Sequence, residues 1–271
     1  MSNVLTPLIR SGRDAAVIAR RNVIRIKRVP DVMAFVLIQP LMFVLLFAYV
    51  FGGSIDIAGG NYREFLIAGI FAQTVVFGAT FTGAGLAEDL QKGLISRFRS
   101  LPMSRSAVVA GRTASDVIYN ALSLMVMSVA GLIVGWRIRG SILDAVVAFA
   151  LLLLFSYAFS WVMACIGLLV PTPEVVNNAS FVVLFPMTFI ANTFVPAESL
   201  PGPLETFAEW NPISAITQAT RNLFGNIPAG TPEPSAWPMQ NATAYTLIWA
   251  LGLIAVFAPL ATRLYQRSGG R

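Results

Sequence analysis

The chain has 271 residues, 56% hydrophobic and 12% charged, with a formal net charge of +6 and a mean hydropathy of +0.71. The charged fraction is about half that of an ordinary soluble domain, which excludes a water-soluble globule and implies an integral membrane protein. Histidine is absent and Cys165 is the one cysteine, so the composition argues against His-based catalysis, metal clusters and an internal disulfide. The two lysines, Lys27 and Lys92, are followed by Arg28 and Gly93, so no G-x-x-x-x-G-K-[ST] phosphate loop exists. Any nucleotide hydrolysis therefore belongs to a separate chain.

Residues 13–29 form the first periodic stretch. At 100° per residue Ile18, Ile26 and Val29 fall on one half of the wheel and Arg13, Arg20 and Lys27 on the other, with Val17 and Ile24 as exceptions. This predicts an amphipathic helix in the membrane interface, apolar half down and basic half among headgroups. A signal peptide is the competing reading; the apolar run that follows is too long for one, and no small-residue cleavage site follows it.

Six charge-poor windows then reach the ~20 residues that a helix needs to cross the hydrocarbon core. They predict transmembrane helices at 33–52, 65–87, 110–136, 145–170, 175–196 and 240–262. The first holds Gln39 and Pro40, where a missing backbone donor predicts a kink. The second is soft and polar, with Gln73, Thr74 and several glycines, a composition that suits close helix packing or hydrogen bonding to a wet path. At the start of the third, Arg112 and Asp116 stand one turn apart and are expected to form a structural charge pair near the boundary. Asp116 is also the best proton-relay candidate in the chain. The fifth carries Asn177, Asn178 and Asn192, amides that are costly in lipid and so expected to face helices or a substrate path.

Between the second and third spans, residues 88–102 read E-D-L-Q-K-G-L-I-S-R-F-R-S-L-P. Leu94, Ile95, Phe98 and Leu101 share one helical face beside Lys92, Arg97 and Arg99. Spacing alone leaves two readings equal: a docking helix for another protein, or a basic loop that sets topology. Between the fifth and sixth spans, 197–238 is rich in proline and Glu. Asn211 and Pro212 there spell an N-cap and first-turn proline, and Ile213, Ile216, Leu223 and Phe224 supply an apolar face. With Trp210 and Trp237 at its edges, this segment is expected to fold back onto or slightly into the outer interface, a wholly solvated loop being the alternative.

Fifteen of the 19 Lys and Arg fall on one side of such a six-span chain: seven before Asp31, five from Lys92 to Arg112 and three after Thr262. The positive-inside rule then puts both termini and 88–102 in the cytoplasm. Anionic membrane lipid accounts for the basic balance without nucleic acid. Arg outnumbers Lys 17 to 2, which fits a GC-rich bacterial genome, and for an apolar multi-span chain the bacterial plasma membrane is then the expected location.

Three runs carry a resemblance. K-G-L-I-S-R-F-R-S-L-P-M-S-R-S-A-V-V-A-G-R after Gln91 resembles the cytoplasmic loop of ABC-2 type transporter permeases, nearest the branch of daunorubicin and doxorubicin resistance exporters. Q-P-L-M-F-V-L-L-F-A-Y-V-F-G from Gln39 and W-N-P-I-S-A-I-T-Q-A-T-R-N-L-F-G from Trp210 are similar to the same branch. The resemblance implies an all-α, six-helix permease domain over 1–271, paired with a second permease, identical or a sister chain. It also implies two cytoplasmic ABC ATPase subunits, which would bind the ATP and Mg while this chain binds no cofactor and is not itself an enzyme. The coupling helix would be 88–102, with Glu88, Asp89, Lys92, Gly93, Leu94, Ile95, Arg97, Phe98, Arg99, Leu101 and Pro102 meeting the ATPase, and 197–238 would be a short external re-entrant hairpin that closes the outer gate. The expected function is ATP-driven export of a hydrophobic or amphipathic drug, secondary metabolite or lipid, with Gln39, Gln73, Thr74, Asn177, Asn178 and Asn192 as candidate path residues. An ion- or proton-coupled secondary transporter is the alternative, disfavoured by the scarcity of intramembrane acids. A membrane enzyme lacks the required constellation of His, Asp or Lys.

Overall fold

A computed structural model describes residues 38, 40–51, 61–94, 105–227 and 234–268. The expected interfacial helix 13–29, Gln39 and the coupling residues Ile95, Arg97, Phe98, Arg99, Leu101 and Pro102 lie outside the described residues. The described chain is helical, with no strand among those residues. Its helices are α1 (Pro40–Val50), α2 (Tyr62–Gly78), α3 (Thr80–Gln91), α4 (Arg105–Val134), α5 (Ile142–Leu169), α6 (Pro173–Ile190), α7 (Gly202–Trp210), α8 (Pro212–Phe224), α9 (Trp237–Gln240) and α10 (Ala242–Arg267).

Five stretches are long and apolar enough to cross a membrane: α2 with α3, then α4, α5, α6 and α10. The first of the six expected windows is represented by the shorter apolar α1, which turns π-helical over Leu46–Phe51. The departure from α geometry thus comes a turn and a half after Pro40. Ala79 keeps right-handed helical dihedrals, so α2 and α3 act as one stave of 30 residues, about 45 Å long. This stave is the centre of the fold: 83% of its apolar window is buried, against 39% or less for the other four.

Helix ends follow local chemistry. Ser141 and Asp144 close a capping box on α5, and Thr172 caps α6 ahead of Pro173. The second span extends past the expected boundary to Gln91, so Glu88 and Asp89 form its last turn rather than the start of a separate helix. The fifth span stops at Ile190, short of 196, because Ala191 turns extended and Asn192 gives its backbone N–H to Ser214 of α8.

Packing relies on missing side chains at one crossing. A Cβ on Gly167 of α5 would lie 2.1 Å from the Gly83 carbonyl oxygen of α3, so the two backbones touch. The largest interhelical contact is α5 with α10. On the outside, Ile118, Leu122, Met125, Val129 and Ile133 make an exposed apolar stripe along α4, matched by Leu247, Leu251 and Val256 on α10. Stripes this long are untenable in water and natural in lipid. The protein is a multi-pass membrane protein.

Candidate substrate cavity and coupling end

At the Gln91 end, Lys92 and Glu88 form an exposed ion pair at 2.5 Å, and Gly93 ends the helix at φ +64°, a left-handed conformation suited to glycine. Leu94 follows, half-buried. Asp89 behaves differently from its neighbours. It is buried and lies 3.6 Å from the Arg112 guanidinium, which rests over Gly85 and donates toward the Phe81 carbonyl. Among the described residues, the acid that pairs with Arg112 is therefore Asp89. Asp116, one turn further along α4, accepts a short hydrogen bond from the Thr82 hydroxyl instead. The physical reason is the α3–α4 crossing, which brings an acid 23 positions away closer than the one on the same helix face.

One turn beyond Asp116 the helices part around a cavity of about 230 Å³. Pro40 and Phe43 of α1, Gln73, Thr74, Phe77 and Gly78 of α2, Thr80 and Phe81 of α3, and Tyr119, Asn120 and Ser123 of α4 line it. No charged side chain is among them. The Thr74 hydroxyl is spent on the Ile70 carbonyl at 2.7 Å. Asn120 is fixed by its amide, which donates to the Asp116 carbonyl at 3.1 Å and to Ser156 at 2.8 Å. Its carbonyl oxygen lies over Gly78, where a Cβ would come within 2.0 Å. That oxygen, Gln73 Nε2, the Tyr119 hydroxyl and the Ser123 hydroxyl are buried with no hydrogen-bond partner among the described residues. Each such orphan costs about 1–3 kcal/mol.

A file of phenyl rings leaves the cavity wall. Phe77 neighbours Phe181 at 6.3 Å between ring centres, and Phe181, Phe185 and Phe189 follow one another up α6 at 4.9 and 4.2 Å. Phe189 meets Phe194 at 4.7 Å, and Phe194 stacks on Phe47 of α1 at 4.5 Å. The second cavity phenylalanine, Phe43, joins the file at Phe189. The file runs from Phe181, 49% exposed, to Phe194, which is buried in the core, and Phe43, Phe47, Phe77 and Phe189 pack against that core.

At the Tyr62 end α8 is bolted down. Arg221, only 1% exposed, donates to the carbonyls of Phe65 at 2.9 Å and Thr193 at 3.1 Å and lies 3.4 Å over the Phe65 ring. Asn226 accepts from the Trp136 indole and donates to the Arg137 carbonyl, both at 2.8 Å. Arg139 grips Glu64 through two hydrogen bonds of 2.8 and 2.7 Å, and these raise its guanidinium further above the ordinary range. Asn211 caps α8 by accepting from the Ile213 N–H at 2.9 Å, as the Asn-Pro pair in the sequence indicates.

The expected path residues therefore part company. Gln73 and Thr74 line the cavity, whereas Asn192 is buried against Ser214 and Gln218 of α8. Asn177 and Asn178 are exposed on α6 and are not among the cavity residues. Tyr119, Asn120 and Ser123 were not among the candidates. Their signal is a polar stripe of Asp116, Asn120 and Ser123 at i, i+4 and i+7, legible on a helical wheel.

The sequence profile of the ABC-2 type transporter family matches residues 14–224. The chain belongs to that family. It is 34% identical over 246 residues to a daunorubicin resistance ABC transporter permease protein, DrrB1, of Streptomyces coeruleorubidus, covering 91% of this chain and 83% of the relative. It is also 22% identical over 227 residues to the probable doxorubicin resistance ABC transporter permease protein DrrC of Mycobacterium tuberculosis strain H37Rv, covering 83% and 78%. A third relative, the putative transport permease ycf38 of Cyanophora paradoxa, is 22% identical over 214 residues, 78% of this chain and 73% of that one.

Proposed function

We propose that this chain is the permease subunit of an ATP-driven exporter that moves a hydrophobic or amphipathic compound out of the cytoplasm or inner leaflet. The observation that carries the reading is similarity along 91% of the chain to a permease named for daunorubicin resistance. The cavity supports it, since uncharged polar groups in an apolar bundle suit cargo of that kind.

In this reading the chain spans the bacterial plasma membrane six times with both termini in the cytoplasm, and two permease chains, identical or sister, stand on two ATPase subunits. Residues 88–102 meet the ATPase. The exposed Glu88–Lys92 pair and Gly93 mark where that element leaves the membrane span, while Asp89 ties the same turn to α4 through Arg112. Closure of the ATPases on ATP presses on this junction, and the Asp89–Arg112 and Thr82–Asp116 contacts pass the displacement to α4, which carries three cavity residues. Outward opening then releases cargo past α8. The test is efflux from proteoliposomes holding this chain and its cognate ATPase. Phe98→Asp or Arg97→Glu is expected to abolish ATP-driven efflux while the chain remains folded, and undiminished efflux in both variants would remove the coupling role.

A further inference from the structure

Four arginines stand against the charge asymmetry that orients the chain: Arg63, Arg137, Arg139 and Arg221 fall on the side opposite the other basic residues. Two are explained by their partners. Arg139 is neutralised by Glu64, and Arg221 is spent on the Phe65 and Thr193 carbonyls. Arg63 and Arg137 have no acid partner among the described residues. Asp144, the next acid along the chain, is taken up in the capping box of α5.

The two arginines converge on one helix end. Arg63 Nη1 donates to the Val134 carbonyl of α4 at 3.3 Å, and Arg137 Nη1 donates to the Leu132 and Trp136 carbonyls at 2.7 and 2.8 Å. Capping the C-terminus of its own helix is reason enough for Arg137. It is no reason for Arg63, which lies in the first turn of α2, the dipole end that disfavours a cation, and crosses to α4 instead. Each guanidinium gives α4 only its Nη1, so Nε and Nη2 of both have no hydrogen-bond partner among the described residues. A guanidinium fork of that kind matches the oxygens of a phosphate.

The neighbours say which phosphate. Arg63 lies 5.2 Å from the centre of the Tyr49 ring, so α1 and α4 flank it. Tyr49 and Val50 on α1, and Val129, Leu132 and Ile133 on α4, are exposed, Ile133 at 78%. In a membrane span this pattern puts apolar side chains against acyl chains, with the arginines and the tyrosine at headgroup depth. A soluble anion satisfies the guanidinia and leaves the apolar surface bare. A phospholipid covers both.

We infer that the Tyr62 end of each chain carries a site for one anionic phospholipid, its phosphate held by Arg63 and Arg137 and its acyl chains lying on the exposed ends of α1 and α4. A zwitterionic lipid brings the same phosphate with a cation attached, which the two arginines repel, so net headgroup charge sets the preference. The bound lipid ties the start of α2 to the end of α4. The inference needs only the membrane fold and is independent of the cargo.

The probe is phosphatidylglycerol, titrated into the purified full-length chain in an uncharged detergent, with bound lipids counted by native mass spectrometry and stability read by thermal unfolding. Phosphatidylcholine is the zwitterionic comparison and glycerol 3-phosphate the soluble one. The expected result is one tightly held phosphatidylglycerol per chain, with both comparisons weaker by about tenfold or more. At a hundredfold excess over its dissociation constant this lipid should raise the unfolding temperature by about 5–10 °C. Arg63→Gln with Arg137→Gln is expected to lower its affinity by about tenfold or more and to abolish the preference over phosphatidylcholine. Arg137→Gln alone changes an exposed side chain, so it must still lower the affinity measurably in a chain whose lipid-free unfolding matches the parent. Arg139→Gln removes the same charge from the same end and is expected to change the affinity by less than about twofold. Equal affinity for the two lipids, an equal loss in Arg139→Gln, or no loss in the double variant would each overturn the site. Glycerol 3-phosphate binding as tightly as the lipid would make it a soluble-anion site and overturn the lipid. A changed oligomeric state in the double variant with an unchanged lipid count would show that a second copy covers this end, and overturn it too. Every readout is taken without ATP or ATPase, so failure here leaves the export reading standing, and loss of ATP-driven efflux leaves the lipid site standing.

Discussion

The contact between Gly83 and Gly167 offers the sharpest test of the packing. A Cβ added by Gly167→Ala would sit 2.1 Å from the Gly83 carbonyl oxygen and 2.7 Å from two further backbone atoms of the same residue. Ordinary contact begins near 3.4 Å, so α3 and α5 must separate by roughly 1.3 Å, and the obstacle is backbone with no rotamer to yield. Overpacking of this kind costs about 1–3 kcal/mol. For a protein of this size each kcal/mol shifts the unfolding temperature by about 2–4 °C, so a loss of about 4–8 °C is expected for a mid-range cost of 2 kcal/mol. Gly252 is the matched control: it lies inside α10, where a Cβ meets nothing within 4 Å. Gly252→Ala should leave the unfolding temperature unchanged or raise it, because alanine is the better helix former. The assay is thermal unfolding of both variants in one detergent. Equal unfolding temperatures for Gly167→Ala and Gly252→Ala would refute the backbone contact.

Three further expectations follow from the polar clusters. Asp89→Asn removes the charge that faces Arg112 and is expected to destabilise the chain by up to about 3–5 kcal/mol, read as a fall in unfolding temperature, while Asp89→Asn with Arg112→Met recovers part of the loss. Asp116→Asn keeps an oxygen for the Thr82 hydroxyl and is expected to preserve ATP-driven efflux; abolished gradient-driven efflux with no ATPase present would favour the proton-coupled alternative. Arg221→Met strips the Phe65 and Thr193 carbonyls of their donor and is expected to cost about 1–3 kcal/mol and to make α8 more open to proteolysis. Protease resistance equal to the parent would show that the arginine does not hold α8 down.

How far the sequence announces this structure depends on the range of the interaction. Lipid-scale hydropathy locates five long spans because each is a property of ~20 consecutive residues. The Asn211 cap of α8 is likewise local, its acceptor and donor two positions apart. The charge pair shows where locality misleads. Arg112 and Asp116 satisfy the one-turn rule, yet the bare backbone of Gly85 lets the guanidinium cross α3 and reach Asp89. Asn177 and Asn178 mislead in another way, since cost in lipid says that an amide seeks company but not which neighbour supplies it. The cavity is half legible: Gln73 and Thr74 stand out in a soft helix, but only the α2–α4 packing reveals that Asn120 and Ser123 face them. The phenyl file mixes both kinds, with Phe181, Phe185 and Phe189 at four-residue spacing on one helix and Phe47, Phe77 and Phe194 joined to it only by the fold.

The central claim is that cargo movement through this chain is driven by ATP hydrolysed elsewhere. Its most direct test is efflux of a hydrophobic dye from proteoliposomes assembled with this chain alone, with its cognate ATPase alone, and with both, each with and without ATP and an imposed proton gradient. The account predicts efflux only when both proteins and ATP are present, regardless of the gradient. Gradient-driven efflux by this chain alone would contradict it.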